Sequence, residues 1–85
     1  MAEIDDRFEA AVAAVGSLTE DPGNDTKLRL YALYKQATVG DVQGGRPRFT
    51  DLVGRAKYDA WAALAGMGRN SAREEYAEVV EALQG

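Results

Sequence analysis

Apolar residues recur at helical spacings near the start of the chain. Within residues 3–18 they follow one another at intervals of one, three or four, so that they share one side of a helix while carboxylates occupy the other sides. The members of this stripe are Ile4, Phe8, Ala11, Val12, Val15 and Leu18. The pattern predicts a first helix over residues 3–18, with Gly16 either weakening its last turn or beginning a C-cap.

A second helical pattern follows the loop that contains Pro22. Residues 26–39 include no glycine or proline, and Leu30, Leu33 and Ala37 form a core stripe. Asn24 or Asp25 is the expected N-cap, because a short polar side chain can accept a hydrogen bond from the first turn. We therefore predict a second helix over residues 26–39.

The third and fourth helical patterns follow an irregular stretch at residues 40–51, which suits a long crossover between helix pairs. A helix is predicted over residues 52–64, capped by Thr50 or Asp51, and its inward residues are Ala56, Ala60, Trp61 and Leu64. After the Gly66–Gly68 break, a fourth stripe contains Ala72, Tyr76, Val79, Val80 and Leu83. Ser71 and Glu74 match a capping box at its start.

Four helical patterns in 85 residues, with no strand pattern, predict an all-α fold and one four-helix bundle spanning residues 1–85. The chain has no cysteine and no histidine, which excludes a disulfide framework and the commonest metal ligands. We expect no cofactor and no metal site. The sequence has neither a signal-peptide pattern nor a long apolar run, so a cytoplasmic protein without stable membrane insertion is expected.

Charge is distributed unevenly along the chain, whose net charge is −4. Residues 1–26 have a net charge of −6 and residues 58–85 one of −3, whereas residues 27–57 contain seven basic and two acidic residues. This basic middle is either a chance cluster of solvated side chains or an anion-binding surface. We expect no nucleic-acid partner, because both acidic flanks must pack close to the basic segment in so small a bundle.

Catalytic patterns are weak throughout the sequence. Ser17 and Ser71 have no histidine to activate them, and the paired carboxylates fall on polar helix faces where helix-dipole or solvated roles are usual. Gly44-Gly45 is followed by Arg-Pro-Arg and so does not form a phosphate-binding glycine loop. We therefore expect a binding protein and no enzyme.

A candidate binding surface lies on the second predicted helix. Tyr31 and Lys35 are four residues apart, so a phenol and an ammonium group can converge on one phosphate, and Lys57 on the third helix could close the same site. Tyr34 offers an aromatic face on which a purine could stack. Spacing alone leaves the alternative open that these are aromatics at the rim of the core and ordinary surface lysines.

The run from Tyr31 to Asp41 resembles the signature of acyl-CoA-binding proteins, Tyr-x-x-Tyr-Lys-Gln-Ala-Thr-x-Gly-Asp. The similarity continues in register through Arg46-Pro47 and residues 54–61, and then at Gly66, Ala72, Tyr76 and Val80, with Phe8 and Pro22 matching upstream. The resemblance covers nearly the whole chain. It implies an up-down-down-up four-helix bundle that works as a monomer, binds medium- to long-chain acyl-CoA and delivers it to acyl-CoA-using enzymes as a carrier and pool former.

The resemblance also implies roles for individual residues. Tyr31 and Lys35 would contact the CoA 3′-phosphate together with Lys57, Tyr34 would pack against the adenine, and Tyr76 would line the same ligand.

The acyl chain would lie in a groove lined by apolar side chains such as Ala11 and Leu28. Lys27 stands in this region, where members of the family commonly have an apolar residue that touches the acyl chain.

Two lysines that are frequent in the family are replaced here by Gly16 and Val53. These substitutions motivate an alternative, a helical protein-interaction module whose affinity for the ligand is weakened or lost. Gly68 stands where a capping serine is usual, which bears on the start of the fourth helix.

Overall fold

The helices of the computed structural model, which describes residues 2–85, coincide with the four apolar stripes. Helix α1 spans Ala2–Val15, α2 spans Asn24–Thr38, α3 spans Leu52–Ala62 and α4 spans Arg69–Gln84. Within the described residues there is no β-strand. The predicted all-α class is confirmed.

Side-chain contacts give the direction of each helix relative to its neighbours. Between α1 and α4, Asp5 pairs with Arg73 at 3.4 Å and Arg7 with Glu81 at 2.8 Å, so residue numbers rise together and the helices are parallel.

Helix α2 is antiparallel to α4 and parallel to α3. Arg29 pairs with Glu75 at 3.0 Å, whereas Val39, at the other end of α2, accepts a hydrogen bond from Arg69 at 2.9 Å. Toward α3, the Lys57 ammonium lies 5.3 Å from the Tyr31 ring centre and the Lys35 ammonium lies 5.0 Å from that of Trp61. The resulting order is up-down-down-up, as the family resemblance implied.

The core lies between α1, α2 and α4. Its buried residues are Phe8, Ala11, Leu30, Leu33, Ala37, Ala72, Tyr76, Ala77 and Val80. Two members of the predicted stripes are exposed instead, because Val12 and Leu83 lie at the edges of their helices' buried faces. The remaining stripe positions are buried or half-buried, so helical periodicity located the core correctly.

A polar network joins the end of α2 to the loop before α4. Gln36 is 1% exposed, and its amide nitrogen donates to the Asp41 carboxylate and to the Met67 carbonyl, each at 2.8 Å. The backbone N–H of Gly66 donates to the same Asp41 oxygen at 2.9 Å. These hydrogen bonds from Gly66 and Gln36 lower the pKa of Asp41 below its ordinary value.

The crossover at residues 40–51 is fastened to α3 over much of its length. Trp61 donates from its indole nitrogen to the Gly40 carbonyl at 2.8 Å, and Tyr58 donates to the Gly44 carbonyl at 3.0 Å. Arg46 forms two hydrogen bonds to Asp59, at 2.9 and 2.7 Å. The crossover therefore sets the position of α3 beside α2.

Helices α1 and α3 end earlier than their apolar patterns predicted. Helix α1 stops at Val15, short of the predicted residue 18, and α3 stops at Ala62, short of residue 64. In both places the chain continues in tight turns, in which Ser17 N–H bonds to the Ala14 carbonyl and Leu64 N–H to that of Trp61. Apolar spacing extends through such a turn, because the turn keeps the next side chain on the same face.

Of the three predicted N-caps, the one for α3 is confirmed, and those for α2 and α4 are wrong. Helix α2 begins at Asn24 with Gly23 as its N-cap, so neither Asn24 nor Asp25 caps it; Gly23 has a φ of 90°, which favours glycine. Asp51 caps α3 by accepting from the Gly54 N–H at 2.9 Å. A side chain at position 54 would collide with that carboxylate.

The predicted capping box of α4 is also wrong. The helix begins at Arg69 after Gly68, and no side chain forms a hydrogen bond at this cap. Ser71 therefore lies inside the first turn, three positions after the N-cap residue Gly68. The loop hydrogen bonds around Gly66 and Met67 start the helix two residues before the serine.

Candidate functional site

Three aromatic side chains from three helices meet at one surface of the bundle. The ring of Phe8 stacks on that of Tyr34 with centres 6.1 Å apart and meets Tyr76 edge-on at 5.2 Å. The Tyr34 and Tyr76 ring centres lie 6.3 Å apart. Phe8 and Tyr76 are buried, whereas Tyr34 is 41% exposed, so Tyr34 presents its ring to solvent on a rigid aromatic base.

A pocket of about 490 Å³ opens over this cluster, and we call it the tyrosine pocket. Tyr31, Tyr34 and Tyr76 line one side of it, and the turn between α1 and α2 lines the other through residues 18–22. Burial raises the pKa of the Tyr76 phenol, with a smaller contribution from Tyr34. Tyr76 is therefore a neutral hydroxyl near pH 7 and can donate a hydrogen bond.

A second pocket, of about 400 Å³, lies between α2 and α3, and we call it the apolar groove. Its lining residues are Asn24, Lys27, Leu28, Tyr31, Leu52, Val53, Ala56 and Lys57. The α3 members recur at positions 52, 53, 56 and 57, which places them on one helix face turned toward Leu28. Leu52 was not among the predicted groove residues, although this spacing could have identified it.

Tyr31 lies at the boundary of the two pockets, since it lines both. The Lys57 ammonium is 5.3 Å from the Tyr31 ring centre. One turn further along α2, Lys35 is half-buried with its ammonium over the Trp61 ring. The parallel packing of α2 and α3 thus brings the predicted residues Tyr31, Lys35 and Lys57 to one seam between the helices.

Lys27 also lines both pockets, and it forms an ion pair with Asp21 at 2.8 Å. The Asp21 carboxylate additionally accepts from the Gly23 N–H, and the hydrogen bonds from Lys27 and Gly23 lower its pKa. The tyrosine pocket therefore contains a carboxylate that the sequence analysis did not single out. Asp21 escaped notice because it lies six residues before its partner, outside any helical pattern.

Four basic residues of the middle segment have no carboxylate within 4.0 Å among residues 2–85. They are Lys35, Arg48, Arg55 and Lys57. The other three pair with Asp21, Glu75 and Asp59. The basic middle is thus partly neutralised within the fold, and the positive charge that remains belongs largely to α3, the crossover and the facing side of α2.

One predicted groove residue occupies a different environment from the others. Ala11 is 4% exposed and belongs to the core formed by α1, α2 and α4, whereas Leu28 is half-buried and lines the apolar groove. The structure therefore brings Leu28, Lys27, Tyr31 and Lys57 together, and places Ala11 within the packed interior.

The described residues lack both a cluster of metal-ligating side chains and a membrane-spanning helix. Among residues 2–85 there is no group of three or more acidic side chains placed to hold a metal ion. None of the helices in that range is long and apolar enough to cross a membrane.

Comparison with known proteins identifies the family. A family model described as "Acyl CoA binding protein" matches residues 5–80. The chain is 44% identical over 80 residues to the acyl-CoA-binding protein homolog of Drosophila melanogaster, a match that covers 94% of this chain and 93% of that protein.

The same similarity extends to a longer protein and to a solved structure. Enoyl-CoA delta isomerase 2 of Rattus norvegicus is 49% identical over 76 residues, or 89% of this chain, but the match spans only 19% of that protein's length. The crystal structure of Oryza sativa Acyl-CoA-Binding Protein 2 superimposes with a TM-score of 0.90 at 40% identity, over 95% of this chain and 90% of that one. The chain therefore belongs to the acyl-CoA-binding protein family.

Proposed function

We propose that this chain binds medium- to long-chain acyl-CoA without converting it, and serves as a carrier and pool former that supplies the thioester to acyl-CoA-using enzymes. The observation that carries the proposal is the position of Tyr31 and Lys57. They meet where the tyrosine pocket joins the apolar groove, so that one ligand can place a phosphate between them, a base in one pocket and a tail in the other.

The nucleotide end of the ligand fits the polar side of the seam. Tyr31, Lys35 and Lys57 would hold the 3′-phosphate by charge-assisted hydrogen bonds, which are stronger than neutral ones. The exposed ring of Tyr34 would stack on the adenine, with its orientation fixed by Phe8 and Tyr76.

The acyl end fits the apolar groove. Leu28, Leu52, Val53 and Ala56 would cover the chain, and each methylene removed from water contributes about 0.8 kcal/mol. We expect affinity to rise with acyl length until the groove is filled. Ala11 would act through core packing beneath the site, since it is buried in the bundle.

Binding without turnover is supported by the chemistry of the side chains present. The sequence offers no histidine or cysteine, the hydroxyl groups at the seam belong to tyrosines, and the Asp21 carboxylate in the tyrosine pocket accepts hydrogen bonds from Lys27 and Gly23. Such groups can orient and shield a thioester, and they supply no activated nucleophile to attack it.

Isothermal calorimetry with palmitoyl-CoA tests the proposal, with CoA and palmitate titrated separately as controls. We expect one strong site for the thioester and much weaker binding of either half, because the two pockets act together. Ligand should also change Trp61 fluorescence through Lys35, whose ammonium lies over the indole. Absence of both heat and a fluorescence change at saturating ligand would contradict the proposal.

A second candidate function is a helical protein-interaction module with little ligand affinity. Glu20 and Asp21 favour it, because both carboxylates line the tyrosine pocket where a phosphate must approach, and Gly16 supplies no compensating lysine. This alternative predicts a protein partner whose capture does not depend on acyl-CoA. Capture that requires the thioester would support the carrier instead.

A further inference from the structure

The most exposed apolar side chains of the described residues lie together at the start of α3. Phe49 and Leu52 are each 75% exposed and Val53 is 67% exposed. Phe49 lies in the turn that the Asp51 N–H closes onto the Arg48 carbonyl, and the other two occupy the first turn of the helix. We call these three residues the Phe49 patch. A cluster of this kind on a small bundle usually marks an interaction site.

The surroundings of the Phe49 patch are positively charged. Arg48 lies within the same turn and Lys57 one turn along α3, and both are exposed with no carboxylate within 4.0 Å among residues 2–85. The nearest acidic residue in sequence is Asp51, whose carboxylate caps α3 by accepting a hydrogen bond from the Gly54 N–H. The acidic segments of the chain fall mainly on α1 and α4, and α3 packs against α2 instead of these helices.

We propose that the Phe49 patch docks on the surface of an anionic lipid bilayer. An aromatic ring and short aliphatic side chains enter the boundary between headgroups and acyl chains favourably, and adjacent basic residues are attracted to anionic headgroups. The patch and its basic neighbours lie within ten residues of sequence, 48–57. Charge complementarity selects this occupant over a second copy of the chain, because two copies would place Arg48 and Lys57 of each against those of the other.

Docking would also orient the apolar groove. Leu52 and Val53 belong both to the patch and to the groove lining, so the groove would open against the lipid. A thioester could then pass between bilayer and protein without exposing its tail to water, a consequence that rests on the proposed function. The docking itself does not depend on it.

Co-sedimentation with sucrose-loaded vesicles tests the docking on the full chain. Vesicles of phosphatidylcholine mixed with phosphatidylserine should bind the protein at low salt, and vesicles of phosphatidylcholine alone should bind it less. Phe49→Ser should lower the partition coefficient about fivefold through lost apolar burial. Arg48→Gln should lower it by about the same factor at low salt, and less at high salt. Leu83→Ser provides the matched control, since Leu83 is 38% exposed at the far end of α4.

A second measurement reports on position and does not depend on the strength of binding. Phe49→Trp places an indole in the patch, and brominated lipids should quench its fluorescence. In the unmodified chain the single tryptophan, Trp61, is 7% exposed and should be quenched much less. Quenching that is equal in the two proteins would overturn the assignment of the patch.

The remaining outcomes also decide the proposal. No binding to phosphatidylserine vesicles, or equal losses for Phe49→Ser and Leu83→Ser, would overturn it. Concentration-dependent dimers that disappear in Phe49→Ser, without lipid binding, would assign the patch to a second copy. Palmitoyl-CoA calorimetry of Phe49→Ser separates the two functions, because Phe49 does not line the groove. A variant that keeps its affinity for the thioester but no longer binds vesicles would support both proposals. If the unmodified chain does not bind the thioester, only the carrier function is overturned.

Discussion

The side chains at the two ends of the Tyr31–Asp41 run lie in different environments. At its start, Tyr31 and Tyr34 turn partly to solvent and line open pockets, whereas Gln36 is sealed inside the bundle with two hydrogen bonds from its amide nitrogen. Asp41, at the end, joins that buried network through the same oxygen that accepts from Gly66.

The two halves of this short run therefore meet different physical demands. Its first half lines the two pockets, and its second half holds a polar network in which the buried Gln36 amide nitrogen donates two hydrogen bonds. Buried polar groups are costly when unpaired, so we expect substitutions at the network end to act on stability. Substitutions at the two ends should therefore separate stability from affinity.

Replacing Gln36 by leucine should have the largest effect, and on stability. The substitution removes both hydrogen bonds from a fully buried amide and leaves the Met67 carbonyl unpaired, which should cost about 2 to 3 kcal/mol of unfolding free energy. Urea unfolding measures the loss. Gln43→Leu, the same change at an exposed crossover position, should alter stability by less than about 0.5 kcal/mol. Equal effects of the two variants would contradict the network's role.

Lys35→Ala tests the binding end and should act on affinity. We expect palmitoyl-CoA binding to weaken by more than about 1.5 kcal/mol, because a hydrogen bond to a charged phosphate is lost. Calorimetry measures the change, and Arg29→Ala is the matched control, since Arg29 is on the same helix but pairs with Glu75. Unchanged affinity in Lys35→Ala would remove this lysine from the site.

Acid should destabilise the network end through Asp41. Its pKa is lowered in the folded state by Gly66 and Gln36, so the carboxylate stabilises the fold above its unfolded pKa, and this contribution is lost as pH falls through the lower folded value. The urea midpoint of Asp41→Asn should therefore fall less between neutral and acid pH than that of the unmodified chain.

Salt distinguishes this carboxylate from an ion-paired one. Asp59 also has a lowered pKa, caused by its hydrogen bond to Arg46. Added salt should screen the Asp59 contribution and leave that of Asp41 largely intact, because Asp41 is bound by neutral donors. If the urea midpoint of Asp41→Asn falls in acid as much as that of the unmodified chain, at low and at high salt, Asp41 does not have this role.

The smallest expected effect is a gain in affinity from Asp21→Asn. Removing this carboxylate from the tyrosine pocket frees Lys27 for the ligand, and we expect palmitoyl-CoA to bind about two- to threefold more tightly. Glu20→Gln removes a charge from the same pocket without freeing a lysine. If both variants tighten binding equally, the cause is the removal of negative charge from the tyrosine pocket and not the release of Lys27.

The sequence predicted the positions of the helices better than it predicted where the helices begin and end. Periodic apolar residues located all four helices, because burial of one helix face depends on local spacing. Helix ends were less predictable: α2 and α4 begin directly after glycines without side-chain caps, and the loop before α4 is held by Gln36 and Asp41, which are distant in sequence. The ion pair of Lys27 with Asp21 was not predicted either, because Asp21 lies in a loop outside any helical pattern.

The sequence by itself determined the all-α class, the core stripes and the run of residues that identifies the family. Tertiary structure decided which side chains meet: parallel α2 and α3 bring Tyr31 to Lys57, and the crossover that Arg46 fastens to Asp59 leaves Phe49 exposed beside the groove. Periodicity records which face of a helix is buried, whereas the neighbour of each face depends on packing between segments far apart in the chain.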